Sequence, residues 1–538
     1  MLSANGTIPL RTFTDIHAAL LARQEIALLD VREEHPHAQA HPLFAANLPL
    51  SHLELDAYTK LPRRDVPIVT LDDGEGFAEI AAQRLGALGY SEVSILAGGI
   101  SGWAAAGGEL FRDVNVPSKA FGELLEAELH TPSFSAGEVQ ALIDSNADIV
   151  IVDARRFDEY QTMSIPTAIS VPGAELVLRI RDLAPRPETC VIVNCAGRTR
   201  SIIGTQSLIN AGLPNPVVAL RNGTIGWKLA GQKLDHGQQR SFHNTSEANR
   251  LQATATARNV ADRVGVKRAL LNELVVWRNQ QARTSYFFDV RTPQEYAASH
   301  LPGFISVPGG QLVQETEMFA PVRGARLVLA DNDGVRANMS ASWLVQMGWE
   351  VFVVEGATAA DFSAEGEYPR PIAPLPEVRT IIPALLNDWL KSLGETVVLD
   401  VSSSAIYRQA HLPGAWFILR SSLLSDFQVI PKAKRYVLSS ETGDLAKFVV
   451  AELEALLSSS EAEVIVLEGG TNAWRAAGFP CENGITRLAS EAIDRYRRPY
   501  EGTDNPREAM QGYLDWEFGL VAQLARDGTH HFKPCLIA

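Results

Sequence analysis

The sequence predicts an α/β protein of four tandem units, each a parallel sheet flanked by helices on both faces, followed by a helical C-terminal extension. Three observations predict this class. An apolar strand ending in aspartate occurs four times, a strand–loop–helix stretch follows each copy, and a glycine-containing turn before an aromatic residue closes each copy. Repeated alternation of strands and helices is typical of parallel βαβ construction.

Length and composition agree with a globular protein of several domains. The chain has 538 residues, of which 46% are apolar and 21% charged, with no low-complexity tract. A formal net charge of −15 argues against a nucleic-acid partner or an anionic membrane surface. We find no signal peptide and no run of 18 apolar residues, so we expect a cytoplasmic protein without a membrane partner.

The cysteines are too few for a disulfide framework in a chain of this length. They lie at positions 190, 195, 481 and 535 and have neither CxxC nor Cys/His zinc spacing. The sequence therefore predicts no metal site and no disulfide, which agrees with a reducing compartment.

Each repeat places one residue at the same distance from its strand-end aspartate. These aspartates are Asp30, Asp153, Asp289 and Asp400. An offset of 42 residues reaches Asp72, Cys195 and Asp331 in the first three units, and an offset of 40 reaches Ser440 in the fourth. The turn that closes each unit precedes Trp103, Trp227, Phe362 or Trp474. Only the second unit has a cysteine at the shared position.

The stretch 191–201, VIVNCAGRTRS, carries the candidate chemistry. A short β-branched strand precedes Cys195, a six-residue loop runs from Cys195 to Arg200, and a helical pattern begins at Ser201. The loop N–H groups, the positive end of the helix, Arg198 and Arg200 all favour a thiolate. We therefore expect Cys195 to be a reactive nucleophile with a depressed pKa.

Two other interpretations of this cysteine fit the sequence less well. A buried cysteine acting as a small apolar residue fits Cys190 in the same strand, but it does not account for the arginines beside Cys195. A phosphatase loop places arginine after five intervening residues, where this chain has Ser201.

The sequence CAGRTRS resembles the active-site loop of rhodaneses, a family of sulfurtransferases. The resemblance implies the rhodanese fold for all four units, a persulfide on Cys195 and no cofactor. It also implies a substrate-binding loop consisting of Ala196, Gly197, Arg198, Thr199, Arg200 and Ser201. Asp153, Arg155 and Glu159 resemble the family's strand-end pair and following glutamate, and we interpret them as supporting ion-pair residues.

The predicted units are separated by polar or proline-rich connectors. They cover residues 1–116, 117–245, 246–375 and 376–486, with the extension at 487–538. Asp72, Asp331 and Ser440 make the first, third and fourth units inactive, because neither a carboxylate nor a hydroxyl without a visible base can carry a sulfane sulfur.

The resemblance implies that a small anionic donor such as thiosulfate gives sulfur to Cys195, and that a thiol or cyanide accepts it. Two alternatives stay open: a persulfide carrier between protein or small thiols, and a scaffold with a relic site. The sequence also leaves open which of Arg198 and Arg200 contacts the donor, and a homodimer is an option. We expect a neighbouring unit to close the active-site loop against water.

Overall fold

The computed structural model describes residues 8–280, 282–392 and 394–535. The outermost ends of the predicted first unit and of the extension, residues 1–7 and 536–538, lie outside this part of the chain. Each of the four units contains five parallel strands in the spatial order 1-5-4-2-3. Parallel strands need crossover connections, and helices on both faces of each sheet supply them. The predicted fold class is confirmed.

The strands of each unit follow one another in the same sequence order. In the first unit they are Leu10–Arg11, Ile26–Asp30, Ala46–Asn47, Ile68–Leu71 and Val93–Leu96; in the second, Ser133–Phe134, Ile149–Asp153, Ile169–Ser170, Cys190–Asn194 and Val217–Leu220; in the third, Lys267–Leu270, Ser285–Asp289, Ile305–Ser306, Arg326–Ala330 and Glu350–Glu355; in the fourth, Thr380–Ile381, Thr396–Asp400, Trp416–Phe417, Arg435–Ser439 and Glu463–Leu467.

The helices connect these strands and join the units. Those of the first unit are Phe13–Leu21, Glu34–Gln39, Leu53–Lys60, Phe77–Ala87 and Gly99–Ala105; of the second, Ala136–Asp144, Phe157–Thr162, Leu176–Leu183, Thr199–Asn210 and Gly223–Leu229; of the third, Leu271–Arg278, Pro293–Ala298, Gly309–Gln314, Thr316–Phe319 and Arg336–Gln346; of the fourth, Pro383–Trp389, Ser404–Gln409, Leu423–Asp426, Asp444–Leu456 and Gly470–Ala476. Further helices lie between or after the units: Val116–Leu129 is the linker helix, Glu247–Arg263 joins the second and third units, Arg507–Phe518 is the tail helix, and Leu520–Asp527 follows it.

The sheet of the second unit is buried on both faces. Along the strand Cys190–Asn194, Val191 and Val193 pack into one core cluster, and Ile192 packs into another on the opposite face. Successive side chains of a strand point to opposite faces, so a continuous apolar run is what a two-sided parallel sheet requires. This strand lies at the centre of the sheet, which fixes the position of the residue that follows it.

The units pack tightly against one another. A short strand of the third unit, Val322–Arg323, pairs antiparallel with residues 26–27 of the first unit's sheet, a contact that the sequence pattern did not predict. Buried ion pairs join other units: Arg336 contacts Glu175 at 2.8 Å, and Arg420 contacts Glu54 at 2.6 Å.

The extension is helical only in its second half. Its helices are Arg507–Phe518 and Leu520–Asp527, while the preceding residues cross the first unit, where Arg498 pairs with Glu34 at 3.0 Å. Over the described ranges, no helix is both long enough and apolar enough to span a membrane.

Candidate active site

Cys195 lies at the end of the central strand of the second unit, and the active-site helix begins close behind it. The helix starts at Thr199, two residues earlier than the sequence pattern predicts. Arg200 and Ser201 therefore belong to its first turn, whose N–H groups have no partner within the helix. The sulfur of Cys195 faces this turn: its Sγ lies 3.4 Å from Ser201 Oγ in a hydrogen bond, and the Ser201 N–H also bonds to it.

The pKa of Cys195 differs from the expected direction. Its side chain is buried, with 2% of the residue exposed, and this burial raises the pKa of the thiol. The charge of Arg200 and the hydrogen bonds of Cys195 with the Ser201 side chain and N–H lower the pKa, but they do not offset the desolvation. Glu517, from the tail helix, raises it further. The predicted depressed pKa is therefore wrong for this closed resting state.

In the other three units, the N–H groups of the same turn donate to a side-chain oxygen instead of a sulfur. In each, the residue at the shared position accepts a hydrogen bond from the N–H six positions later: Ala78 donates to Asp72 at 3.0 Å, Ala337 to Asp331 at 2.8 Å, and Ala446 to Ser440 at 3.3 Å. Ser201 stands at that position relative to Cys195. In every unit the N–H groups of this turn thus form a site for a hydrogen-bond acceptor. In two units a carboxylate of the chain occupies that site.

A glycine allows the closing turn to approach the loop closely. Gly223 has a φ of +54°, and a Cβ built on it would lie 2.3 Å from the carbonyl oxygen of Cys195. Thr224 donates its N–H to that oxygen at 2.9 Å. Gly99 and Gly470 make the equivalent approach to Asp72 and Ser440. A glycine at this position therefore lets the closing turn pack directly against the backbone of the loop.

Arg200 is the loop arginine whose positive charge lowers the pKa of Cys195. It forms a two-pronged ion pair with Glu159, with N–O distances of 2.8 and 2.9 Å. Burial alone would raise the pKa of Glu159, but the guanidinium beside it brings the pKa down to about 2. Glu159 therefore remains ionised at neutral pH and orients Arg200 beside Cys195.

Arg198 points away from the sulfur, toward the linker helix. Its guanidinium pairs with Glu123 at 2.7 and 3.0 Å and with Glu126, and it donates to Asn222 at 2.9 Å. Its carbon Cζ lies 4.3 Å from the ring centroid of Phe518 in the tail helix. The sequence leaves open which loop arginine contacts the donor, and in the structure the Arg198 side chain ties the loop to two helices.

Asp153 and Arg155 lie behind the loop. They form a fully buried ion pair at 2.8 Å. Asn194 donates to Asp153 at 2.9 Å, and Arg155 also donates to the carbonyl of Met163 at 2.5 Å. The two side chains are buried and hold each other and Asn194 in place, which fits a supporting role at the ends of adjacent strands.

The extension closes the active-site loop, a role for which we expected a neighbouring unit. Tyr513 packs with Ile225 in a small apolar cluster. A Cβ built on Gly197 would lie 3.1 Å from Tyr513 Cε1 and 3.4 Å from Glu517 Oε2. Lys119 of the linker helix lies below the tail, 5.3 Å from the ring of Tyr513. The sequence pattern did not predict that these residues reach the active-site loop; the tail's aromatic residues and the helical spacing of Tyr513 and Glu517 were the available signal.

A cavity of about 650 Å³ borders this site. The second and fourth units and the extension line it, and Glu159 and Tyr500 are shared between its wall and the surroundings of Arg200. Its arginines are Arg155, Arg156, Arg408, Arg495 and Arg497, against three acidic residues, Asp158, Glu159 and Glu501. Arginines thus outnumber acidic residues in its wall, with Arg155 and Arg497 paired to Asp153 and Asp504 just outside it. Across the described chain, no group of three or more His, Cys, Asp or Glu residues is arranged to hold a metal ion.

The fold and this loop define a tandem α/β protein in which one unit of four presents a cysteine in an anion-binding turn. A model of the rhodanese-like domain matches residues 14–106, 135–230, 272–360 and 383–477. The chain therefore belongs to the rhodanese-like family.

A solved structure matches this chain along nearly its whole length. It is the crystal structure of a thiosulfate sulfurtransferase from Pseudomonas aeruginosa, at 65% identity and a TM-score of 0.96, covering 98% of this chain and 99% of that one. A rhodanese-related protein from Thermoplasma volcanium matches at 23% identity over 20% of this chain and 98% of its own length, with a TM-score of 0.17. An HTH-type transcriptional regulator of Mycobacterium tuberculosis is 31% identical over 90 residues, 17% of this chain, and the match spans 39% of the regulator's length.

Proposed function

We propose that this protein is a thiosulfate sulfurtransferase that moves a sulfane sulfur through a persulfide on Cys195. The observation that carries the proposal is the turn that follows Cys195. Its counterparts in the other units accommodate the oxygen of Asp72, Asp331 or Ser440, whereas in the second unit it surrounds a sulfur. The P. aeruginosa relative, named as a thiosulfate sulfurtransferase, supports the same activity.

The first half-reaction forms the persulfide. The Cys195 sulfur attacks the outer sulfur of thiosulfate, the S–S bond of the donor breaks, and its electron pair leaves with sulfite. Because burial keeps Cys195 protonated at rest, the thiol proton leaves with the sulfite as hydrogen sulfite, and Cys195 carries an anionic persulfide. The Ser201 N–H and the Arg200 charge stabilise that anion.

The second half-reaction returns the enzyme to its resting state. An acceptor such as cyanide attacks the outer sulfur, the persulfide bond breaks, and thiocyanate and the Cys195 thiolate are formed. The thiolate then takes a proton from solvent. These two displacements require no metal and no organic cofactor.

We further propose that the donor approaches through the basic cavity beside Arg200. We also propose that each unit has a separate role, with the unit boundaries as predicted. In this division, residues 117–245 are catalytic, residues 1–116, 246–375 and 376–486 support them, and residues 487–538 cover the site. We assign the protein to the cytoplasm, where a reducing environment maintains the thiol.

Steady-state turnover with thiosulfate and cyanide tests this function. We expect ready turnover by the full chain, because the donor is a small anion and the cavity is basic. A persulfide carrier between thiols would turn over slowly with these reagents, and a scaffold with a relic site would not turn over. Slow or absent turnover would therefore contradict the proposal.

The two loop arginines are expected to respond differently to substitution. Arg200→Ala should weaken transfer from thiosulfate about 10- to 150-fold, since about 1.5–3 kcal/mol is the usual loss for a charged hydrogen bond. Arg198→Ala should instead lower the free energy of unfolding by about 3–5 kcal/mol, because it leaves the buried Glu123 carboxylate without its partner.

Kinetics and thermal melting of both variants separate these effects. An Arg198→Ala variant that melts like the wild type and transfers sulfur poorly would reverse the assignment. Unchanged kinetics and melting in both variants would contradict both roles.

A further inference from the structure

Glu517 is a buried carboxyl group held against the active-site loop by the tail helix. The residue is 0% exposed. Its Oε2 lies next to Gly197, where any larger residue would place a Cβ 3.4 Å from that oxygen. In its ionised form Glu517 raises the pKa of the Cys195 thiol, so the two groups lie within electrostatic reach of each other. The tail helix thus brings one carboxyl group to the active-site loop from outside the catalytic unit.

One oxygen of this carboxyl group has a partner and the other does not. Oε1 accepts a hydrogen bond from the hydroxyl of Tyr513 at 2.7 Å. Oε2 is buried and has no hydrogen-bond partner among the residues that the structure describes. A buried polar atom without a partner is costly, and such atoms are often satisfied in another state of a functional site.

The groups around Glu517 keep it protonated at neutral pH. Burial raises its pKa to about 8, and the nearby Glu123 carboxylate contributes to the increase. Lys119 of the linker helix, the Tyr513 hydroxyl and Arg198 of the loop act in the opposite direction. Of these, Lys119 is itself paired with Asp113 at 2.6 Å, and Arg198 with Glu123 at 2.7 Å, so neither provides a dedicated counter-ion.

We propose that the protonated carboxyl group of Glu517 donates a hydrogen bond from Oε2 to the outer sulfur of the Cys195 persulfide. The resting thiol lacks this outer sulfur, which explains why Oε2 is unpartnered before the donor reacts. The persulfide extends the side chain by one atom and carries a negative charge, so a buried donor in this position stabilises the intermediate rather than the resting enzyme. No proton is transferred in this step.

The proposal rests on the persulfide chemistry proposed above and gives Glu517 a direct part in it. It also assigns a function to the extension beyond excluding water. Ionised Glu517 would both lose the donated hydrogen bond and repel the persulfide anion. Sulfur transfer should therefore decline as the carboxyl loses its proton, above about pH 8.

Thiosulfate–cyanide turnover of the full-length protein over roughly pH 6–10 tests the inference. In the wild type, whose Cys195 thiol stays protonated because burial raises its pKa, we expect a level rate up to about pH 8 and a fall above it. Glu517→Gln retains an N–H donor that does not titrate, so it should lower the rate at neutral pH about threefold to tenfold and remove the fall at high pH. Glu517→Leu has no donor and should lower the rate at least about tenfold at every pH.

A second kind of variant keeps the carboxyl group of Glu517 and changes its pKa. Tyr513→Phe removes the hydroxyl that stabilises the ionised form of Glu517, so the pKa of Glu517 should rise. The high-pH limb should then move to higher pH than in the wild type. This variant also decides the matter if the Glu517 variants do not fold, which thermal melting will show.

Intact-mass measurement of the sulfur loaded from thiosulfate distinguishes the possible failures. If the wild type loads no sulfur, the proposed function fails and this inference fails with it. If the wild type loads sulfur and turns over, but its high-pH limb persists unchanged in Glu517→Gln or does not move in Tyr513→Phe, the inference alone is overturned.

Discussion

Cys195→Ser is expected to abolish sulfur transfer, lowering turnover with thiosulfate at least about a thousandfold. A hydroxyl cannot hold a sulfane sulfur, and none of the other units offers a cysteine at the shared position. The substitution should not disturb folding. The fourth unit has Ser440 at that position, and its Oγ accepts the N–H of Ala446 at 3.3 Å.

The remaining cysteines supply the controls for this prediction. Cys190 and Cys481 are partly buried, and burial raises the pKa of each thiol. Cys535 lies in the tail, beyond the last helix. Cys481→Ser and Cys535→Ser should therefore leave turnover at the wild-type rate. Turnover that survives in Cys195→Ser and disappears in one of these variants would contradict the assignment.

Removal of residues 487–538 is expected to lower turnover at least about tenfold and to make Cys195 more accessible. The tail helix covers Gly197 with Tyr513 and Glu517, and it supplies part of the apolar cluster around Ile225. Without it, water reaches the loop and the thiol loses its desolvation. Alkylation of Cys195 by iodoacetamide should then become faster while sulfur transfer becomes slower.

A comparison with the isolated second unit, residues 117–245, shows which part of the chain is responsible. If the tail closes the site, the truncated chain and the isolated unit should lose a similar amount of activity. If the other units matter independently, the isolated unit should lose more. Full activity from the isolated unit would contradict any role for the rest of the chain in catalysis.

The repeated architecture could be predicted because its signals are local. The two-sided burial of residues 191–193 is encoded in a run of β-branched residues, and the position of Cys195 follows from the strand that ends before it. The signals for the linker helix are likewise local, because its apolar periodicity and Pro117 near its start are visible in the sequence. Patterns of this kind depend on neighbours a few residues apart.

The partners of the loop arginines could not be predicted in the same way. Arg198 and Glu123 are 75 residues apart, and their pairing depends on how the linker helix packs on the active-site helix. The sequence shows two cations beside a cysteine and leaves open which of them contacts the donor. In the structure, one of them holds the loop to its neighbours, and local charge counting cannot distinguish these two roles.

The prediction of a depressed pKa for Cys195 was wrong for a related reason. The helix start and Arg200 do lower the pKa, as expected from the sequence. Desolvation exceeds them because a segment more than 300 residues away, around Tyr513 and Glu517, covers the loop. The desolvation of a group depends on everything packed around it, so a strand–loop–helix motif alone cannot fix its pKa.

The stoichiometry of sulfur loading tests the central claim, that one unit of four performs the chemistry. The protein is treated with thiosulfate, its intact mass is measured, and the modified peptide is located. We expect one added sulfur per chain, on Cys195, which cyanide removes. Asp72, Asp331 and Ser440 cannot form a persulfide, so the other units should remain unmodified. Two cyanide-labile sulfurs per chain, or a single one on another cysteine, would contradict this account.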